Sequence, residues 1–232
     1  MPGETIILFV VLPVAAYLIG SIPTGFLIGL AKGVDVRRAG SGNVGATNVG
    51  RVLGRRWGYL CFLLDVLKGL IPVLAAGWLL HEVGRSGGAA PSAIPAANHQ
   101  IAWLLVGLGT ILGHVFSIFL KFRGGKGVAT SLGVTLGFFP YLTYAGLAAF
   151  AVWLIVALIW RYVSLASVVA ALSFPPLFLA ACRIFGWPVL GLAPLLTFGL
   201  SMMLLVIIRH RSNIKRLLAG TENKIGGRGR GQ

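Results

Sequence analysis

TIILFVVLPVAAYLIGSIPTGFLIGLA, residues 5–31, carries no charged side chain and exceeds the ~20 apolar residues a helix needs to cross a bilayer. Similar stretches fill most of the chain. Residues 57–80 are interrupted by Asp65 and Lys68, residues 101–120 contain His114, and 128–160, 162–182 and 184–208 carry no charge. Backbone groups in hydrocarbon must be satisfied within the segment, so runs of this length fold as helices. Of the 232 residues, 57% are hydrophobic and 11% charged, against about 25% charged in an ordinary soluble domain. The expected fold class is therefore all-α. The chain reads as a polytopic integral membrane protein of about seven transmembrane helices, one domain over residues 1–232 with a basic tail at 209–232.

Residues 128–160, with Pro140 near the middle, are short for two full crossings. They read as two compact helices or as a re-entrant pair, and in both cases the two ends emerge on one side. With the N-terminus outside, 17 of the 20 Lys and Arg residues fall on one face; Arg85 and Arg183 fall on the other, and Lys68 within a span. The positive-inside rule makes the crowded face cytoplasmic, together with the C-terminus. The opposite connector, 81–100, is rich in Gly, Ala, Pro and Ser. Cys61 and Cys182 both lie in apolar runs, which excludes a disulfide scaffold. The net charge of +15 is dispersed between apolar stretches without a continuous basic stripe. It points to anionic lipid and anionic substrates, and away from nucleic acid.

Three segments of the basic face carry chemistry. Residues 37–51 read RRAGSGNVGATNVGR. Gly40 and Gly42 free the backbone to aim successive N–H groups at one point, an anion nest. Ser41, Asn43, Thr47 and Asn48 add neutral donors, and Arg51 adds a fork that fits phosphate. Residues 121–130 read KFRGGKGVAT, where Gly124, Gly125 and Gly127 surround Lys126 just ahead of a helix start. Free amides at a helix N-terminus beside an ammonium suit phosphate, although the glycine spacing is not that of a nucleotide P-loop. Residues 209–224 read RHRSNIKRLLAGTENK; in a helix, His210 and Asn213 share a face and Gly220 ends it. Within the spans, Asp65 and Lys68 stand i,i+3 and are expected to neutralise each other, while His114 reads as a buried hydrogen-bonding group.

Absences narrow the reaction. The five acidic residues, Glu4, Asp35, Asp65, Glu82 and Glu222, are scattered, which leaves no carboxylate set for a catalytic metal. No metal or other cofactor is expected. No His is followed by Asp five residues later, and no G-x-S-x-G elbow occurs. The alternatives are an organophosphate or anion transporter and a non-catalytic lipid-binding membrane protein. Against the first, the cations gather on one face and no internal repeat is visible. Against the second, a basic tail alone does not account for the Gly-Ser-Asn-Thr loop.

Taken together, GSIPTG at 20–25, the 40–48 loop, DVLKG at 65–69, residues 113–130 and residues 210–224 resemble the bacterial membrane glycerol-3-phosphate acyltransferases that use acyl phosphate as donor. The resemblance runs from the first span to the tail; the 82–100 connector and the 226–232 end look like additions to that family's compact form. It implies a seven-helix inner-membrane protein with its site on the cytoplasmic face. The implied reaction moves an acyl group from acyl phosphate to the 1-hydroxyl of sn-glycerol 3-phosphate, giving lysophosphatidic acid and inorganic phosphate. The implied site residues are Ser41, Thr47, Arg51, Lys126, His210 and Asn213.

Overall fold

The computed structural model describes residues 2–86 and 94–226, with side chains for 3–80 and 94–226. The middle of the expected connector, 87–93, and the end of the tail, 227–232, lie outside the described residues. The described chain is all helix and connecting turns, with no strand. Its helices are α1 (Pro2–Ile6), α2 (Leu12–Ser21), α3 (Thr24–Leu30), α4 (Ala46–Leu53), α5 (Arg55–Ser86), α6 (Ala97–Val115), α7 (Val128–Gly137), α8 (Thr143–Trp160), α9 (Val163–Phe185), α10 (Ala193–Arg209) and α11 (Arg211–Leu218). Among the described residues six segments are long and apolar enough to cross a membrane, and α7 is a shorter apolar helix. Leu63, Ile71, Trp78, Leu158, Ile184 and Leu204 lie exposed on the outer surface of the bundle, as a lipid-facing surface requires.

The stretch 128–160 divides unequally. α8 has 18 residues and α7 only 10, about 27 Å and 15 Å at the helical rise. α8 is thus long and apolar enough for a full crossing, and α7 is a short helix. The loop before α7 folds back on the end of α6, where the Gly124 and Gly125 amides bond to the Val115 and His114 carbonyls. The first span is also interrupted, because Pro23 removes a backbone donor between α2 and α3.

In a bilayer, apolar surface alone does not drive one helix against another, so close packing must. Glycines supply it here. A Cβ on Gly109 would stand 2.5 Å from the Pro13 carbonyl oxygen, and one on Gly137 would stand 2.7 Å from Val73 Cβ. These contacts lock α2 against α6 and α5 against α7. The resulting frame carries α4, the 121–127 loop and α11 to one end of the bundle.

Candidate active site

At that end lies a cavity of about 810 Å³. All three sequence segments line it: Ser41, Gly42, Asn43, Thr47, Asn48 and Arg51 from the first; Gly124, Lys126 and Gly127 from the second; His210 and Asn213 from the third. Asp65 and His114 also reach it. Gly40, Gly125 and Lys68 do not line it. Gly40 turns at φ 61° behind the Asn48 side chain, Gly125 packs on the His114 ring, and Lys68 sits beneath.

The first segment presents free donors. Gly45 caps α4 with extended backbone, so the helix starts at Ala46 and points its first amides into the cavity. Thr47 and Arg51 follow at i,i+4 on one face. The Ser41 and Thr47 hydroxyls and the Arg51 guanidinium have no hydrogen-bond partner among the described residues. Asn48 differs from its neighbours. It is 1% exposed; its Nδ2 donates to the carbonyls of Val36 and Ala39 at 2.9 and 3.1 Å, and its Oδ1 accepts the Ser41 N–H at 2.7 Å. Both its donors are spent on the loop. Asn43 likewise accepts the Gly45 N–H at 2.8 Å.

The second segment departs from the sequence reading. The amides of Gly124 and Gly125 are not free. They donate to the carbonyls of Val115 and His114 at 3.1 and 3.0 Å. A Cβ on Gly124 would collide with the His114 carbonyl, and one on Gly125 with the His114 ring. These two glycines let the loop lie against the end of α6, and it is Gly127, in the left-handed region at φ 82°, that turns the chain into α7. Val128 and Ala129 then line the cavity at the start of that helix.

Lys126 donates to Asn213 Oδ1. Asn213 Nδ2 in turn donates to Glu222 Oε1 at 2.7 Å, where Ser164 Oγ also donates at 2.9 Å, while Arg216 Nε donates to Glu222 Oε2 at 2.7 Å. Burial pulls the Lys126 ammonium down to about 8, against the attraction of Glu222 and with the repulsion of Arg216 and Arg209. Glu222 is held below its ordinary value by these hydrogen bonds, which outweigh its own burial. The sequence reading missed Glu222 and Ser164. The available signal was that Glu222 is the one carboxylate in the whole 209–232 tail.

The third segment is not one helix. The chain turns at His210, between α10 and α11, and Asn213 lies in the first turn of α11. Both reach the cavity through this bend, not through a shared helical face; Gly220, at φ 68°, does follow the end of α11. His210 is 2% exposed and its Nδ1 stands 2.8 Å from the Val206 carbonyl. A carbonyl only accepts, so Nδ1 carries the proton and Nε2 offers a lone pair. Burial and the Lys126 charge push His210 down to about 4, so the ring is neutral at neutral pH.

Under the floor, Asp65 accepts from Lys68 at 2.8 Å and from Thr24 at 2.6 Å, and Lys68 also donates to the Ile22 carbonyl at 2.9 Å. His114 Nδ1 lies 3.6 Å from Asp65. Among the described residues no group of three or more His, Cys, Asp and Glu is placed to hold a metal. Beside the polar cavity runs a narrow apolar groove of about 100 Å³ between α7, α8, α9 and α10, and Val128, Trp153 and Ser167 line both.

Residues 10–220 match the family model described as glycerol-3-phosphate acyltransferase. The chain belongs to the glycerol-3-phosphate acyltransferase family. A relative of that name from Geotalea daltonii is 47% identical over 216 residues, covering 92% of this chain and 96% of its own. The fold is similar to that of PlsY, an integral membrane glycerol 3-phosphate acyltransferase, solved in a glycerol 3-phosphate form (TM-score 0.74, 43% identity, 93% and 94% of the two chains). It is also similar to the lysophosphatidic acid form of PlsY (TM-score 0.72, 42% identity, the same shares). The chain is thus a multi-pass membrane protein of an acyltransferase family.

Proposed function

We propose that the protein transfers a fatty acyl group from acyl phosphate to the 1-hydroxyl of sn-glycerol 3-phosphate. The products are lysophosphatidic acid and inorganic phosphate, the first acylation step of phospholipid biosynthesis. The observation that carries this reading is one cavity with two separate cationic lobes, the start of α4 with Arg51 one turn further along it and Lys126 just ahead of α7, opening onto an apolar groove. Two phosphorylated substrates need two cradles, and the donor's acyl chain needs an apolar channel.

In this reading one phosphate rests on the free amides of α4, Ser41, Thr47 and Arg51. The other rests near Lys126 and the start of α7. The acceptor hydroxyl donates a hydrogen bond to His210 Nε2, which aims its oxygen at the acyl carbon. A carbon–oxygen bond forms there, and the bond from that carbon to the phosphate oxygen breaks. The departing phosphate takes the electron pair and the hydroxyl proton, so no strongly basic side chain is required. Lys126 and Arg51 neutralise the charge that gathers on the leaving phosphate. Glycerol 3-phosphate, acyl phosphate and membrane lipid are then the only partners the reaction needs. Every cavity-lining segment lies on the Lys- and Arg-rich end, which supports a site on the cytoplasmic face of a bacterial inner membrane.

Acyl transfer by the purified protein in a lipid mesophase tests the reading. Acyl phosphate, acyl-CoA and acyl carrier protein are compared as donors, each with and without a chelator. Turnover is expected with acyl phosphate alone and untouched by chelation. Turnover only with the CoA thioester, or strict dependence on metal, would overturn the donor assignment.

A further inference from the structure

Arg161 is a charged residue that the steps above leave unused. It closes α8 in the left-handed region at φ 62°, a conformation costly for arginine and easy for glycine. Its carbonyl accepts the Ile225 N–H at 2.7 Å, and its Nη2 donates back to the Ile225 carbonyl at 2.8 Å. Both backbone groups of one tail residue are thereby clamped. Beside the clamp Lys224 lies over the Tyr162 ring, 5.4 Å from its centroid. Three residues before Ile225, the same segment sets Glu222 in the cavity against Ser164, Asn213 and Arg216. The connection runs without a gap from Arg161 through Ile225, Glu222 and Asn213 to Lys126.

We propose that Arg161 is a positioning residue for acyl transfer: by clamping Ile225 it holds residues 221–225 as a strap across the α8–α9 junction and keeps Glu222 on the amide that carries Lys126. The proposal rests on the function given above. Arg161 touches no substrate; it acts through the carboxylate. With the strap released, Lys126 faces Arg209, Arg216 and His210 without Glu222. The other charged groups lining the cavity, Arg38, Arg51, Arg123, Asp65, His114 and the Asp35–Arg37 pair, stay where they are. Glu222 favours the charged form of Lys126 and the two arginines oppose it. Release therefore lowers the pH at which Lys126 loses its proton.

Two variants of the full-length protein separate positioning from folding. Arg161→Gly removes the guanidinium and places at the left-handed position the residue that suits it, so the end of α8 is preserved. Arg161→Lys keeps one donor for the Ile225 carbonyl. Acyl transfer from acyl phosphate to glycerol 3-phosphate is followed across pH, together with thermal unfolding. For Arg161→Gly, kcat is expected to fall about tenfold, the scale of losing one charge-assisted hydrogen bond. The alkaline limb should move to lower pH while the unfolding midpoint is unchanged or higher, and Arg161→Lys should recover most of the rate. A Gly variant that superimposes on the wild type would overturn the clamp. So would a loss of rate accompanied by a lower unfolding midpoint and an unmoved limb, or a Lys variant no better than Gly. Wild-type protein that fails to turn over acyl phosphate at all would instead overturn the function on which the clamp rests.

Discussion

The two glycine-rich loops of the cavity look alike in sequence and work differently in the fold. In the 40–51 loop the inner side chains, above all Asn48, brace the backbone and leave Ser41, Thr47 and Arg51 free. In the 121–127 loop Gly124 and Gly125 are consumed in packing against His114, and Lys126 is already tied to Asn213 and through it to Glu222. Glycine content marks both as tight loops. It does not tell whether the amides face a ligand or a carbonyl of the protein.

The comparison can be broken most severely at the two cations. Lys126→Ala and Arg51→Ala are each expected to lower kcat/KM on the order of a hundredfold or more, as loss of a preorganised charge on a developing oxyanion does. Steady-state kinetics of a fully active double variant would end the two-cradle account. Next comes packing. Gly124→Ala forces a Cβ onto the His114 carbonyl, and overpacking of this kind costs about 1–3 kcal/mol. Its unfolding midpoint should drop well below that of Thr47→Ala, whose exposed side chain makes no hydrogen bond to another described residue. Asn48→Ala removes the three hydrogen bonds of a buried side chain and should also unfold early, whereas Thr47→Val should keep its midpoint and raise KM several-fold, the scale of one hydrogen bond. Equal midpoints for the Asn48 and Thr47 variants would erase the division between brace and ligand.

A milder effect lies in pH. Lys126 must be protonated to hold phosphate, so activity falls as pH rises through about 8. His210 must be neutral to accept the hydroxyl proton's hydrogen bond, so activity falls as pH drops toward about 4. The pH–rate profile should be a plateau between these limbs. Asn213→Ala removes the amide that links Lys126 to Glu222 and should shift the alkaline limb only.

The membrane fold was legible because long uncharged runs leave the backbone no alternative to helix. Among the described residues six segments are long enough to cross and α7 is a seventh, shorter one, a division of 128–160 that the sequence left open. Val128 starts at the cavity and α7 ends after 10 residues, whereas α8 runs for 18 and is long enough to cross. The three chemical segments were legible as Gly-, Ser- and cation-rich islands, and the fold does bring them to one cavity. What each residue does there was less so. The third segment was read as one helical face, but His210 sits at a bend. Glu222 was counted among scattered acids, because its partners Ser164 and Asn213 lie 58 and 9 residues away. No local pattern records contacts of that range.

Acyl transfer to glycerol 3-phosphate by purified protein, with hexadecanoyl phosphate and hexadecanoyl-CoA as rival donors, tests the two-cradle cavity most directly. Lysophosphatidic acid and one equivalent of free phosphate should form from the acyl phosphate, and neither should form with the Lys126→Ala, Arg51→Ala variant. Product made from the thioester instead, or undiminished product from that variant, would contradict it.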